Sequence, residues 1–269
     1  LRLFNRTASA LIGPAGSEGL LIRGLRFSFQ IEKAITSDPN SMVLKVYNLS
    51  DRTIGRIEES GNVVILRAGY DGQEEVVWKG DVTKVSHERQ SADRVTTIES
   101  NDGARAVEQG RVSASFGPGA SISEIVEELK TSLSVGAVVG EIKGSLADTF
   151  ANGFSMEGLA KDAMDKIAAK LDSDWSIQDN ELVIMPKGQW SSEAAVLLNK
   201  STGMVGAPTK EEDGRVKVVS LLQPKIRPTR RVKIESEYVA GVFKVDRVVH
   251  DGDTHGAAWS TTAEAAEAA

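Results

Sequence analysis

The stretch VVHDGDTHGAAWSTTAEA, residues 248–265, decides how the chain is read. Taken as chemistry, it sets His250, Asp251, Asp253 and His255 within six residues, two imidazoles and two carboxylates of the kind that hold a metal ion and activate a water. Taken as structure, it is a polar tip between two strands. Asp251-Gly252-Asp253 is strong turn chemistry, because glycine tolerates positive φ and aspartate side chains bond the nearby backbone. A catalytic zinc takes three protein ligands from rigid elements, often at His-Glu-x-x-His spacing on a helix. Here the candidates share one loop, and the only other histidine is His87. The turn accounts for more of these residues. No catalytic, cofactor-binding or metal residue is assigned, and a metal-dependent hydrolase using His250, Asp253 and His255 stands as the alternative.

Working outward, residues 78–99 laid without a gap over residues 243–264 match at six positions. Lys79, Asp81, Ala92, Thr96, Thr97 and Glu99 fall on Lys244, Asp246, Ala257, Thr261, Thr262 and Glu264. The echo implies the same long hairpin once in each half of the chain. In this overlay Val85 sits opposite His250 and Gln90 opposite His255.

The first hundred residues alternate as half-buried strands do, with Phe27, Phe29 and Ile31 on one face and Met42, Leu44 and Val46 on another. Ser50 is placed to cap a short helix over residues 51–60, with Leu49 and Ile54 as a hydrophobic staple and Gly61 as its stop. Asp71-Gly72 marks a hairpin turn. From about Gly103 the pattern changes. RVSASFGPGA, residues 111–120, reads as a linker; Ser121 and Glu124 have capping-box spacing; Ser155 caps a helix carrying Leu159, Ala163, Ile167 and Leu171 on one stripe. Asp179-Asn180 turns a hairpin that sets Trp175 and Ile177 against Leu182 and Ile184. From Ala194 the strand pattern returns, and the last residues, EAAEAA, read as a fraying end. The expected fold is mainly β with an inserted α+β module: 1–105 a β domain with one short helix, 106–190 the helix, helix and hairpin module, and 191–269 a second β domain.

Composition narrows the function. A chain of 269 residues with 41% hydrophobic content builds buried cores unaided, and the absence of cysteine excludes disulfide frameworks, thiolate metal sites and cysteine nucleophiles. No apolar run reaches the roughly 20 residues of a membrane helix, and the first residues lack signal-peptide shape, so a soluble cytoplasmic product is expected. A net charge of −6 argues against a general nucleic-acid binder. The basic segment with Lys225, Arg227, Arg230, Arg231 and Lys233 offers phosphate contacts, yet its prolines and few aromatics suit a loop entering a strand, with charges paired to an acidic partner or neighbouring subunit. No Walker, dinucleotide or nucleophile-elbow spacing is present, and Glu74-Glu75 is a surface charge run. A monomeric β-sandwich adhesin is a third reading, one that leaves the internal echo without a purpose.

Several separated segments together resemble the tail baseplate hub proteins of long-tailed bacteriophages and the related hubs of contractile injection systems. They are the strand pair ending in Asn48, Leu49 and Ser50; the hairpin with Gly69 and Tyr70 before its turn and Gly80-Asp81 after it; the helix followed by DWSIQDNELVIMPKG; and the last domain, where Gly252, Asp253, Thr254, His255, Gly256 and Trp259 match a recurrent hairpin tip. The chain departs from the pattern at Thr229, where a glycine is expected after Pro228. The resemblance implies a non-enzymatic virion structural protein without cofactors: a homotrimer with two tube-like β-barrel domains per chain, adapting a sixfold tail tube to a threefold central spike. It further implies contact with the tail tube or distal tail protein, the spike and the tape-measure protein, with DNA in transit during genome ejection and no membrane binding. Its place would be the tail baseplate, after assembly in the host cytoplasm.

Overall fold

The computed structural model describes residues 5–59, 61–133, 138–142 and 148–267. The chain divides into two compact units, one of Leu1–Ala34, Asn40–Asn101 and Trp190–Ala269, the other of Ile35–Pro39 and Asp102–Gln189. Among the described residues no helix is long and apolar enough to cross a membrane.

The first unit is built on one 13-stranded sheet, antiparallel except where Val196–Leu198 runs parallel to Arg231–Glu235. Its alternating sequences bury the faces that the pattern predicts: Phe27, Phe29 and Ile31 from one strand and Met42, Leu44 and Val46 from the next lie in the core. Each such side chain contributes about 1.5–3 kcal/mol by leaving water. Ser50 caps the helix Asp51–Ile57 by accepting from the Thr53 N–H, while buried Leu49 and half-buried Ile54 join the same core. Asp71 and Gly72 both take positive φ, 51° and 75°, which a two-residue turn between right-twisted strands demands.

Two five-stranded repeats make up most of this sheet. The leading repeat has Phe27–Ala34, Ser41–Tyr47, Asn62–Tyr70, Gln73–Gln90 and Asp93–Asn101; the trailing repeat has Met204–Lys210, Val216–Leu221, Arg231–Glu235, Ala240–Asp253 and Trp259–Glu267. In each, the spatial order is first, second, fifth, fourth, third. Every neighbouring pair is antiparallel.

The long hairpins agree in finer detail. The fourth strand of the leading repeat carries a bulge between Val82 and Lys84, and that of the trailing repeat one between Val245 and Arg247. Just past it, Lys84 pairs with Glu99 and Arg247 with Glu264. Matching the bulges puts Val85 on Val248 and His87 on His250, while the returning strands keep Thr96 on Thr261 and Glu99 on Glu264. The gapless overlay therefore needs correction on its outgoing strand: Val85 is not the counterpart of His250, and the coincidences Lys79/Lys244 and Asp81/Asp246 disappear. The reason is a tip two residues longer in the trailing hairpin, with ten residues between His250 and Thr261 against eight between His87 and Thr96.

The second unit packs the helices Ile122–Ser132 and Ala160–Lys170 against the hairpin Ser173–Gln178 and Glu181–Pro186. The capping box of Ser121 and Glu124 is present in full. Asp179 and Asn180 turn the hairpin at φ 52° and 70°, opposing Trp175 to Ile184 and Ile177 to Leu182 as expected. The Asp102 carboxylate accepts from the N–H groups of both turn residues. Two expectations fail here. Residues 111–116 form no linker, because Arg111–Phe116 pairs antiparallel with Phe154–Leu159. That pairing draws Ser155 into a strand, so the helix begins at Ala160 with Leu159 at the cap position and no side-chain cap bond.

The end of the chain is also firmer than its composition suggests. Ala263 and Ala265 are fully buried, and the strand runs to Glu267 opposite Phe243; residues 268 and 269 lie outside the described residues.

Candidate functional site

The tip of the trailing hairpin is not where the Asp-Gly-Asp signal put it. Residues 251–253 still belong to the strand Ala240–Asp253, and the chain reverses across 254–258. Gly252 serves close packing instead of a turn: a Cβ there would lie 2.2 Å from the Phe29 ring. That ring meets Trp259 edge-on at 5.6 Å, and Tyr70 meets the same indole at 6.4 Å. Burial pushes the Tyr70 phenol up to about 12.

The four polar side chains of the opening stretch point to different tasks. His250 and Asp251 lie on opposite faces of one strand, since successive side chains alternate. His250 is 1% exposed and pairs through Nδ1 with the Thr261 hydroxyl at 2.8 Å; that hydroxyl also accepts from the Gln223 N–H at 2.9 Å. Burial, with the nearby Lys33 and Arg227 charges, lowers the His250 pKa to about 3, opposed only by a backbone bond at Ile226. The ring is therefore a neutral hydrogen-bonding element of the core. Asp251 accepts from Gln30 on the adjacent strand at 3.0 Å.

Asp253 is the organiser of the tip. Its carboxylate takes the Arg26 guanidinium through two nitrogens, at 2.7 and 3.2 Å, and accepts the N–H groups of His255 and Gly256, both at 2.9 Å. Partial burial pushes its pKa up, but Arg26 and the two N–H groups outweigh that and hold it below the usual carboxylate range. Arg26 in turn lies 4.5 Å over the Tyr47 ring. The His255 imidazole bonds its neighbour Thr254 through Nδ1, at 2.9 Å. The side chains of His250, Asp253 and His255 thus bond three different side chains, those of Thr261, Arg26 and Thr254. Among the described residues no group of three or more His, Asp or Glu side chains is arranged to hold a metal.

The leading hairpin repeats the arrangement at the surface. His87 Nδ1 meets the Thr96 hydroxyl at 3.1 Å, the same pair as His250 and Thr261, while its Nε2 meets Glu58 at 3.0 Å. Lys84 pairs with Glu99 at 2.8 Å where Arg247 reaches Glu264 at 3.4 Å. Arg247 also bonds Glu32 on the adjoining first strand of the leading repeat, at 2.5 Å. Sequence reading missed this set. Its signal was present as KVSHE at 84–88 and RVVHD at 247–251, hidden by the two-residue gap.

The basic segment is occupied within the chain. Lys225 pairs with Glu75, Arg227 and Arg230 with Glu193, and Lys233 with Glu235, while Arg231 lies 5.3 Å from the Trp190 ring. Thr229 adopts φ 69°, the left-handed conformation that favours glycine, held by its N–H to Val245 and its carbonyl to Ser191.

Against known proteins, residues 23–256 match the family model of baseplate hub gp41. A match over most of the chain defines its class, the structural proteins of phage tail baseplates. The chain belongs to the baseplate hub gp41 family. None of the curated proteins matches it. Among solved structures it is similar to the 43 kDa tail protein of prophage MuSo2 from Shewanella oneidensis, at 9% identity and TM-score 0.67, covering 97% of this chain and 98% of that one. A tail protein from Neisseria meningitidis MC58 aligns at 12% identity and TM-score 0.67, covering 97% and 96%. An Escherichia coli component of the type VI secretion system aligns at 11% identity and TM-score 0.60, covering 96% and 77%. At such identities these likenesses establish a shared fold.

Proposed function

We propose that this hub is a homotrimer whose chains each contribute two tube-like β domains, setting six similar domains around a channel. The observation that carries the reading is the tandem repeat: one strand order, one bulge position, one ion pair and one His–Thr pair, each occurring twice in a chain. A chain that repeats itself lets three copies present sixfold contacts on one side and threefold contacts on the other. The tail tube or distal tail protein meets the first, the central spike meets the second, and the tape-measure protein ends in the lumen. The net charge of −6 favours a channel wall that repels DNA phosphates during ejection. The mechanism is mechanical: a channel held shut until the spike leaves, in a virion baseplate assembled in the host cytoplasm.

The reading assigns no catalysis, cofactor or metal. The side chains of His250, Asp253 and His255 bond Thr261, Arg26 and Thr254 respectively, which leaves the hydrolase alternative without a supporting arrangement. Electron micrographs of the purified chain, classified end-on, test the proposal. Rings with an open centre and six lobes under threefold averaging are expected, and compact particles without a channel would count against it.

A further inference from the structure

The two repeats are joined inside one chain by a strand seam. Ala240–Asp253 gives its first residues to Arg231–Glu235 and its last to Phe27–Ala34, the first strand of the other repeat. Across that seam Arg247 lies opposite Ala34, His250 opposite Ile31 and Asp251 opposite Gln30. The Arg247–Glu32 ion pair and the Gln30–Asp251 hydrogen bond cross it.

The equivalent edges at the far ends are not joined within the chain. Gln73–Gln90 pairs with Asn62–Tyr70 only through 73–81, and among the described residues no strand covers that side of 84–90. Met204–Lys210 pairs with Val216–Leu221 and with no second strand among the described residues. Lys84, His87, Glu88, Thr209, Lys210 and Glu211 are exposed. An open strand edge is a template for another chain, and here one molecule carries both halves of a seam it has already made once.

Resting on the trimer reading, we infer that the 84–90 edge pairs antiparallel with the 209–211 edge of a second copy, in the register of the internal seam. The register follows from the returning strands. Glu99 and Glu264 correspond, Val43 pairs with Glu99 and Lys217 with Glu264, and Gln30 pairs with Val43 as Thr209 does with Lys217. Gln30 therefore corresponds to Thr209 and Ile31 to Lys210. Glu211, whose N–H bonds the Arg215 carbonyl, takes the place of Glu32. Across the new seam His87 lies opposite Lys210 of the partner subunit, Glu88 opposite the partner's Thr209, and Lys84 pairs with the partner's Glu211 as Arg247 pairs with Glu32. The charges match in kind at that last position, cation to carboxylate in both seams. The bulge between Val205 and Thr209, which contains Pro208, confines regular pairing to the 209–211 end. A contact in which each copy offers a different edge is head-to-tail, and with the threefold rotation of the trimer it closes into a ring.

The chain has no cysteine, so cross-linking is free of background. Glu88→Cys with Thr209→Cys places thiols at directly opposed positions within disulfide reach. Mild oxidation of the full chain is expected to give covalent dimers and closed trimers on a denaturing gel. Ser86→Cys with Thr209→Cys, two residues out of register, is expected to give at most a small fraction of that yield. Lys84→Glu is expected to weaken trimers about tenfold, with Glu211→Lys on the same chain restoring them. A trimer by mass that forms no Glu88–Thr209 cross-link overturns the seam and leaves the trimer standing; equal yields from both pairs overturn the register. A chain that remains monomeric at its solubility limit overturns both.

Discussion

The two long hairpins have the same bulge, the same ion pair and the same His–Thr bond, yet one is buried and the other is bare. In the trailing hairpin Val248 and His250 are almost fully excluded from solvent; in the leading hairpin Val85 is half-buried and His87 exposed. The difference comes from the neighbour. Phe27–Ala34 covers the outer half of Ala240–Asp253, and no strand among the described residues covers the corresponding half of Gln73–Gln90. Closely similar local chemistry thus serves as core in one place and as an exposed strand edge in the other.

Breaking the comparison is simplest at the paired valines. Val248→Asp buries an unpaired carboxylate and is expected to cost about 4 kcal/mol or more, enough to abolish soluble expression. Val85→Asp is expected to cost about 1 kcal/mol, because water reaches that face. Urea titrations of the dilute chain give the two values, and equal losses would remove the distinction. Next in size is Gly252→Ala, whose methyl group collides with the Phe29 ring; about 3 kcal/mol is expected. Combined with Phe29→Leu it should cost less than the two changes added, since the smaller side chain yields the space. Arg89, the exposed counterpart of Gly252, should tolerate alanine within about 0.5 kcal/mol.

The buried imidazole sharpens the contrast through pH. The folded-state pKa of His250, about 3, lies below the ordinary value of 6.5, so its contribution is complete above pH 6.5 and is lost as pH falls from there towards 3. The slope in that window approaches about 1.4 kcal/mol per pH unit for one proton. His250→Gln should flatten the stability profile over the same range, at a fixed cost near pH 7 of about 1–2 kcal/mol for the weakened bond to Thr261. The smallest effect belongs to the ion pairs. Arg247→Ala, which removes contacts to Glu32 and Glu264 together, should cost about 1 kcal/mol, and Lys84→Ala about 0.3 kcal/mol, as exposed pairs do.

How much of this was legible in the sequence follows from where the signals are local. Period-two alternation located Phe27–Ala34 and Ser41–Tyr47, Ser50 announced its helix, and Asp71-Gly72 and Asp179-Asn180 announced their turns, because each depends on residues within one turn or strand. Arg111–Phe116 was misread because its small residues look like a linker until Phe154–Leu159 is brought beside it. The Asp-Gly-Asp turn failed for a similar reason: Gly252 answers to Phe29, more than two hundred residues earlier. The partner of Asp253 was illegible too, because no local pattern links it to Arg26. The internal echo was visible, but its register needed the bulges, and the bulges are properties of paired strands.

The central claim is that this chain repeats itself in order to form a threefold assembly with sixfold contacts. Native mass spectrometry of the purified chain tests it most directly. The account predicts a species at three times the 28.8 kDa chain mass with no bound metal. A monomer at the chain mass across all accessible concentrations, and above all one carrying a stoichiometric metal ion, would contradict it.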